Sequence, residues 1–489
     1  MEAAALHEDA LADVLRCLPP RSLAAARSVC KAWRAAVDAH ALLLRHLLPH
    51  SVRGVFVNYV DHDRPHLFAR PSPPPPAPSA IRIIDGLFEF IPKEHKAWWS
   101  ILDHCNGLVL CHMEWARRSA RFIVCNPATR QWTPVPQRAG AEKGDQEGAY
   151  LLFDPAVSPH FEVVLIPVVP AKPPPQVEDE EVRARRREQE KDAPFCLDWL
   201  FSLSDDDENI EALPVQEPDN DPCRLMEWPP MTWTLWVFSS RTGQWEERAF
   251  VREGEPAGMV QDMRLDPPSD TLFYGPRQRY AVYLKGQLYV HCRGSFVARI
   301  SFTDDKYQVI KAPANIEYAK PYLGRLENRV CFGISHESQL QVWALDESCG
   351  QMEWIMKCED DLTNCVKHVG KYYRREMHGA WIVKEKNAHE ATETVPEESS
   401  EWDSDNDGIF EVKDNVEFYT DVDILGFHPY MEVVFLVVSF GVVAYHLDTS
   451  KLQYLGNARP NCYYHGHSNG VYESFLYTPC MIGEVDVQR

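Results

Sequence analysis

The stretch "RFIVCNPATRQWTPVP" (121–136) reads as two short strands around a turn. Phe122 to Cys125 is a continuous apolar run, Asn126-Pro127 punctuates it, and Trp132 opens the returning strand. The same grammar recurs in "LWVFSSRTGQWEERAF" (235–250) and, more loosely, in "FVARISFTDDKYQVIKAP" (296–313), "QVWALDESCGQMEWIMKC" (341–358) and "VVAYHLDTSKLQYLG" (442–456). Thr129/Trp132, Thr242/Trp245 and Thr449/Leu452 share a T-x-x-[W/L] spacing. A threonine in the turn bonds nearby backbone, and the large apolar residue then packs inward from the returning strand.

Each hairpin has a strand pair upstream. "CNGLVLC" precedes the first, "AYLLFDPAVSPHFEVVLIPVV" the second, "YAVYLKGQLYVHC" the third, "YLGRLENRVCFGIS" the fourth and "DILGFHPYMEVVFLVV" the fifth. A unit of four strands that repeats along a chain is the pattern of propeller blades. With the long gaps removed, the repeat approaches the ~50-residue period of kelch-like propellers. A β-sandwich is the alternative, but it does not explain a recurring four-strand unit. Five units are visible. A sixth forms if "RGVFVNYV" (53–60) pairs with "VYESFLYT" (471–478), which closes the ring and removes exposed edges. The expected fold is α+β multidomain: a small N-terminal three-helix module over 1–48, then an all-β propeller over 52–489 of about six blades, the pattern admitting five to seven.

The chain has 489 residues and a formal charge of −22. The window 171–230 holds 7 basic and 17 acidic residues, net −10, and 386–423 holds 2 and 13, net −11. The remainder, 41 basic and 42 acidic, is close to neutral. The acidity therefore belongs to two insertions, both expected to be disordered. No basic face is left for nucleic acid. The 13-residue apolar run "VVFLVVSFGVVAY" (433–445) is shorter than the ~20 residues of a membrane helix and reads as two buried strands. Fourteen scattered cysteines, no C-x-x-C pair and no signal-like start point to a reduced chain of the cytoplasm or nucleus.

Before the strands stands "LHEDALADVLRCLPPRSLAAARSVCKAWRAAV" (6–37). Leu11, Val14, Leu15 and Leu18 fall on one helix face, and Pro19-Pro20 ends that helix. Ser22 is placed to cap a second helix carrying Leu23 and Ala26, and Val29, Trp33 and Val37 mark a third. A module of roughly 45 residues buries too little apolar surface for comfortable stability and tends to complete itself on a partner. The run resembles an F-box, the adaptor-docking motif of Skp–cullin–F-box ubiquitin ligases, through Leu6, "ALADVLRCLPPRSL" and "ARSVCKAWRAAV". Where the family has Leu-Pro, this chain has Leu6-His7. The resemblance implies a docking face of Leu6, Leu11, Leu15, Leu18, Pro19 and Leu23, with Trp33 in the core of the module.

The later chain resembles the F-box-associated domains common in plant F-box proteins. The residues that carry this are "DHCNGLVLC", "VCNPATRQW", "LGFHPYMEVVFL" and the terminal "FLYTPCM". Together the two resemblances imply a non-catalytic substrate-recognition subunit of a ubiquitin ligase. Its partners would be a Skp-type adaptor, through it a cullin, and a protein target held by propeller loops. A non-ligase interaction scaffold with a diverged F-box is the alternative, and a propeller enzyme with a helical appendage a further rival.

No P-loop, Rossmann fingerprint or G-x-S-x-G is present, and nothing nominates a nucleophile or base. "RARRR" (183–187) is flanked by acids and reads as a solvated charged segment rather than an import signal. "DSDNDGIFEVKD" (403–414) spaces Asp403, Asp405, Asp407 and Gly408 like a calcium loop, but its twelfth residue is Asp414 rather than Glu. "CYYHGH" offers Cys462, His465 and His467, without the second cluster that a four-ligand zinc site needs. The expectation is no cofactor and no metal.

Overall fold

The computed structural model describes residues 8–18, 22–23, 26, 29–40, 42, 48–60, 62–71, 84–92, 98–113, 122–138, 147–167, 225–261, 280–292, 295–314, 320–336, 338–348, 352–363, 365–367, 369, 379–385, 409–410, 422–463 and 470–481. Two helices near the N-terminus, α1 (Glu8–Arg16) and α2 (Lys31–Ala39), precede a large region that is almost entirely β. Among the described residues no helix is long and apolar enough to cross a membrane.

Among the described residues the β region falls into six units of four antiparallel strands, of which the second and third join into one eight-stranded sheet through a parallel pairing of Val251–Glu253 with Lys306–Gln308. Unit I runs Trp99–Cys105, Leu108–Met113, Phe122–Asn126, Gln131–Val135. Unit II runs Glu147–Leu152, Glu162–Pro167, Thr232–Ser239, Gln244–Glu253. Unit III runs Ala281–Leu284, Gln287–Cys292, Phe296–Ser301, Lys306–Lys311. Unit IV runs Lys320–Leu326, Arg329–His336, Gln339–Asp346, Glu353–Asp361. Unit V runs Val422–Phe427, Val433–Val438, Gly441–His446, Leu452–Asn457, with Ile409–Phe410 added at its edge. All five hairpins read from the sequence are present, each as the outer half of its unit.

Local chemistry explains the inner hairpins. Asn106 and Gly107, at φ 46° and 95°, join the first two strands of unit I, and Lys285 and Gly286, at 52° and 78°, do the same in unit III. Two positive-φ residues match the right-handed twist of the strands they connect. The middle strands are apolar on both faces, as in Val433–Val438, because each is covered by neighbouring units on either side. The fourth strands of units II and IV, Gln244–Glu253 and Glu353–Asp361, are largely exposed.

Unit VI is assembled from the two ends of the β region. Val471–Tyr477 pairs with Gly54–Tyr59, which pairs with His66–Ala69, and Ile382–Val383 completes the order. The pairing of 53–60 with 471–478 expected from the sequence is therefore seen, with Phe56 opposite Phe475. The first strands of successive units are neighbours, and Val471–Tyr477 touches both Val422–Phe427 and Trp99–Cys105, so the row returns to its start. The largest core cluster draws on five units, including Ile101, Val297, Phe332, Leu436 and Phe56. Fully removing such side chains from water is worth roughly 1.5–3 kcal/mol each.

The two acidic windows lie mostly outside the described residues, and their expected disorder is too wide at the edges. Within 171–230, Glu227–Trp228 pairs with Gly258–Met259, and buried Trp228 packs edge-on against Trp233. Within 386–423, Ile409–Phe410 pairs with the last strand of unit V, and Val422-Asp423 begins its first. Net charge averaged over a window hides a single tryptophan that finds an apolar partner. The calcium-like loop, apart from Ile409–Phe410, is outside the described residues.

Candidate functional site

The N-terminal helices enclose their own small core. Leu15, Leu23, Ala26, Ala36, Val37 and Leu42 are buried together, with Leu11, Leu18 and Trp33 at its margin. Leu15 and Leu11 share one face of α1 because they stand four residues apart. The helix finishes before the Pro19-Pro20 pair: the N–H of Cys17 and of Leu18 bond back to Val14 and Leu15. Leu42 folds back by donating its N–H to the Val37 carbonyl.

This burial sorts the residues of the expected docking face. Leu15 and Leu23 are fully buried inside the module, where they hold its helices together. Leu11 and Leu18 are half-buried at its rim, and Leu6 and Pro19 lie outside the described residues. Trp33 packs on the core, as the sequence predicts. Among the described residues of the head, the large apolar side chains open to solvent are Val14 on α1, 57% exposed, and Val29 just before α2, 64% exposed. Heptad reasoning missed the distinction, because Val14 and Leu15 both fall on a broad apolar stripe. Val29, read as the start of the third helix, precedes it: α2 begins at Lys31.

Residues 5–45 match the family model described as F-box domain. The N-terminal module is an F-box domain. F-box domains bind Skp-type adaptors of ubiquitin ligases, and F-box proteins are in general non-catalytic ligase subunits. The match covers the head alone. In the comparison with curated proteins nothing matches the chain. Among solved structures, a chain from a structural and mechanistic analysis of two prolyl endopeptidases is matched at 9% identity and a TM-score of 0.27. The match covers 88% of this chain and 55% of that one, so the chain spans about half of its length.

The β region holds polar groups where its first strands converge. The Asn58 side chain donates from Nδ2 to the Ile101 carbonyl at 2.7 Å and accepts the Ile101 N–H at 3.0 Å, and Nδ2 also reaches Glu473 at 3.1 Å. Buried Asp103 accepts the N–H groups of Leu151 and His104, both at 2.8 Å. Burial raises its carboxyl to about 7, with nearby Glu473 adding to the effect. Neighbouring His104 is pushed down to about 3 by burial, and its Nε2 accepts the Gly107 N–H at 3.1 Å. These groups tie unit to unit. An open groove of about 450 Å³ runs between units II, III and IV, lined by Glu253, Gln308, Lys311, Met352 and Trp354. Of the sequence's zinc candidates, His465 and His467 lie outside the described residues, whereas Cys462 lies against His62 and His66.

Proposed function

We propose that this chain is a substrate receptor of a Skp–cullin–F-box ubiquitin ligase. The F-box domain at residues 5–45 carries the reading. The head, 1–48, docks the adaptor and through it a cullin. The region 52–489 is a six-bladed propeller, with the order of six four-stranded units and the pairing of its two ends in support. It presents a protein target from the loops of one face, where connecting segments vary without cost to the scaffold.

Such a subunit does no chemistry. It raises the effective concentration of a bound target near the ubiquitin-charged enzyme held elsewhere in the assembly. The adaptor meets Val14 and Val29, the apolar side chains that the helices expose, with Leu11 and Leu18 completing the contact at the rim. Leu15 and Leu23 hold that surface in shape from beneath. Work of this kind belongs to the cytoplasm or nucleus.

Affinity purification of the full chain from cells treated with a proteasome inhibitor tests the reading. Adaptor, cullin and a set of ubiquitinated proteins co-purify, and the ubiquitinated set disappears when Val14 and Val29 are both changed to Asp. A chain that gathers the same proteins without adaptor or cullin is a non-ligase scaffold instead.

A further inference from the structure

Three potential metal ligands converge where unit VI closes. His62 lies between the strands Gly54–Tyr59 and His66–Ala69, and His66 is the first residue of the second. Cys462 follows the last strand of unit V, about 400 positions away in sequence. The His62 and His66 Nε2 atoms are 2.9 Å apart, and the Cys462 Sγ lies 3.7 Å from the first and 3.8 Å from the second. His66 is 1% exposed and the His62 side chain 5%.

We propose that His62 Nε2, His66 Nε2 and Cys462 Sγ bind one zinc-class divalent cation that fastens the closing sheet. The spacing suits it. With metal–nitrogen bonds near ~2.05 Å and a metal–sulfur bond near ~2.3 Å, a tetrahedral site has N···S edges of about 3.6 Å and an N···N edge of about 3.3 Å. The two sulfur edges match within about 0.2 Å. The nitrogens are closer than that because one imidazole hydrogen-bonds the other, and a cation replaces that bond. Two imidazoles and a thiolate are a donor set of borderline softness, which favours zinc over magnesium or calcium.

The surroundings are those of a built site. Tyr59 stands edge-on to both imidazoles, at 6.0 and 5.9 Å between ring centres, and Tyr463 stands edge-on to His62 at 5.7 Å. The two histidine rings stack at 5.1 Å, which fixes the direction of their nitrogens. Glu385 lies on the far side of the sulfur, with Oε1 3.5 Å from Sγ and accepting the Cys462 N–H, while Asn461 Nδ2 bonds its Oε2 at 2.7 Å. The fourth position is filled by this carboxylate, swung inward, or by water. Asp63 stands 3.8 Å from His62 Nε2, and Arg64 Nη2 3.9 Å from the sulfur. On binding, the thiol proton leaves to solvent, a metal–sulfur bond takes its place, and Arg64 gives up its contact.

A cation here joins the first hairpin of the β region to the segment leading into its last strand. It binds the closed form and not the unfolded chain, and so stabilises it. The site is independent of the adaptor surface.

The test uses the full reduced chain, titrated with Zn2+ and, as a spectroscopic probe, Co2+. One equivalent binds, cobalt gives a thiolate charge-transfer band with tetrahedral d–d bands, and zinc raises the thermal midpoint. Cys462→Ser and His66→Gln lose the cobalt spectrum and at least tenfold in affinity, whereas the double change His465→Gln, His467→Gln keeps both. Alkylation of Cys462 with iodoacetamide, followed by peptide mass spectrometry, needs no variant: zinc slows it at least tenfold. Alkylation at the same rate with and without zinc, or a cobalt thiolate band that survives Cys462→Ser, overturns the proposal.

Discussion

Asn126 donates a hydrogen bond from its side-chain Nδ2 to the carbonyl oxygen of Cys480, at 2.9 Å and across 354 positions of sequence. Its Oδ1 accepts the N–H groups of Ala128 and Thr129, so one buried amide builds the turn of the first repeat and holds the segment that follows the strand Val471–Tyr477. Cys480 also covers Gly107: a Cβ added there would sit 2.4 Å from the Cys480 Cβ. Three motifs far apart in sequence, "CNGLVLC", "VCNPATRQW" and "FLYTPCM", thus meet at one joint. The joint lies where unit VI returns to unit I.

Breaking this joint should loosen the whole β region. Asn126→Ala orphans the Cys480 carbonyl and two turn N–H groups, and a buried unsatisfied group costs roughly 1–3 kcal/mol. Gly107→Ala should be worse, because φ is 95° and backbone atoms of Cys480 block the added carbon. Urea unfolding should show a lower midpoint for both, with Gly107→Ala the lower. A Gly107→Ala chain as stable as the parent would contradict this packing.

Asn58 plays the matching part inside unit VI. Its amide exchanges two hydrogen bonds with Ile101 of unit I and reaches Glu473 on the adjoining strand. Asn58→Leu fills the space but strands both backbone groups of Ile101, at about 1–3 kcal/mol apiece. Changing Glu473→Gln in the same background should add less than it costs alone, since the two side chains are hydrogen-bonded to each other. Additive losses in a double-mutant cycle would show that the two side chains act separately.

Asp103 and His104 give the stability a pH dependence with opposite signs. The folded Asp103 carboxyl titrates near 7 against 3.8 when unfolded, so its stabilising effect is complete below 3.8 and fades as pH rises through about 7. Folded His104 titrates near 3 against 6.5 unfolded, so its contribution is present above 6.5 and is lost as pH falls. Asp103→Asn should therefore remove the Asp103 loss between about pH 4 and pH 7, so that stability rises more steeply with pH in the variant than in the parent. Thermal midpoints across that range decide it: an unchanged slope in the variant would mean that Asp103 does not carry it.

In the head, core and surface should separate cleanly. Leu15→Ala or Leu23→Ala opens a cavity in a six-residue core, a change that costs roughly 2–5 kcal/mol and should unfold the helices. Val14→Asp and Val29→Asp touch solvent and should leave helical circular dichroism unchanged. Hydrogen exchange over 8–40 should rise to the unfolded rate in the leucine variants only.

The repeating units were legible because each hairpin is local: its turn, its strands and its aromatic all fall within about 16 residues. The sequence also hinted at the role of the returning tryptophan, which the structure completes. Trp245 Nε1 donates to the Pro136 carbonyl of the preceding unit, and Trp354 Nε1 to Lys311, so this position ties neighbours together. Ring closure was visible as two matching apolar ends. The histidine–cysteine cluster was not, because His62 and His66 look like an ordinary polar hairpin until Cys462 is brought beside them. The packing of the head was half legible: helical period placed Leu11, Leu15 and Leu18 on one stripe, but only the fold decides which of them faces inward.

Titration of the purified full chain with a Skp-type adaptor decides whether the head is a docking module. One-to-one binding is expected, and it falls when Val14 and Val29 are both changed to Asp. Buried apolar anchors cost about 2 kcal/mol each on removal, so the double variant should lose at least ~100-fold in affinity while its β region keeps the parent's thermal midpoint. Absence of binding by the parent chain, or undiminished binding by that folded variant, would contradict it.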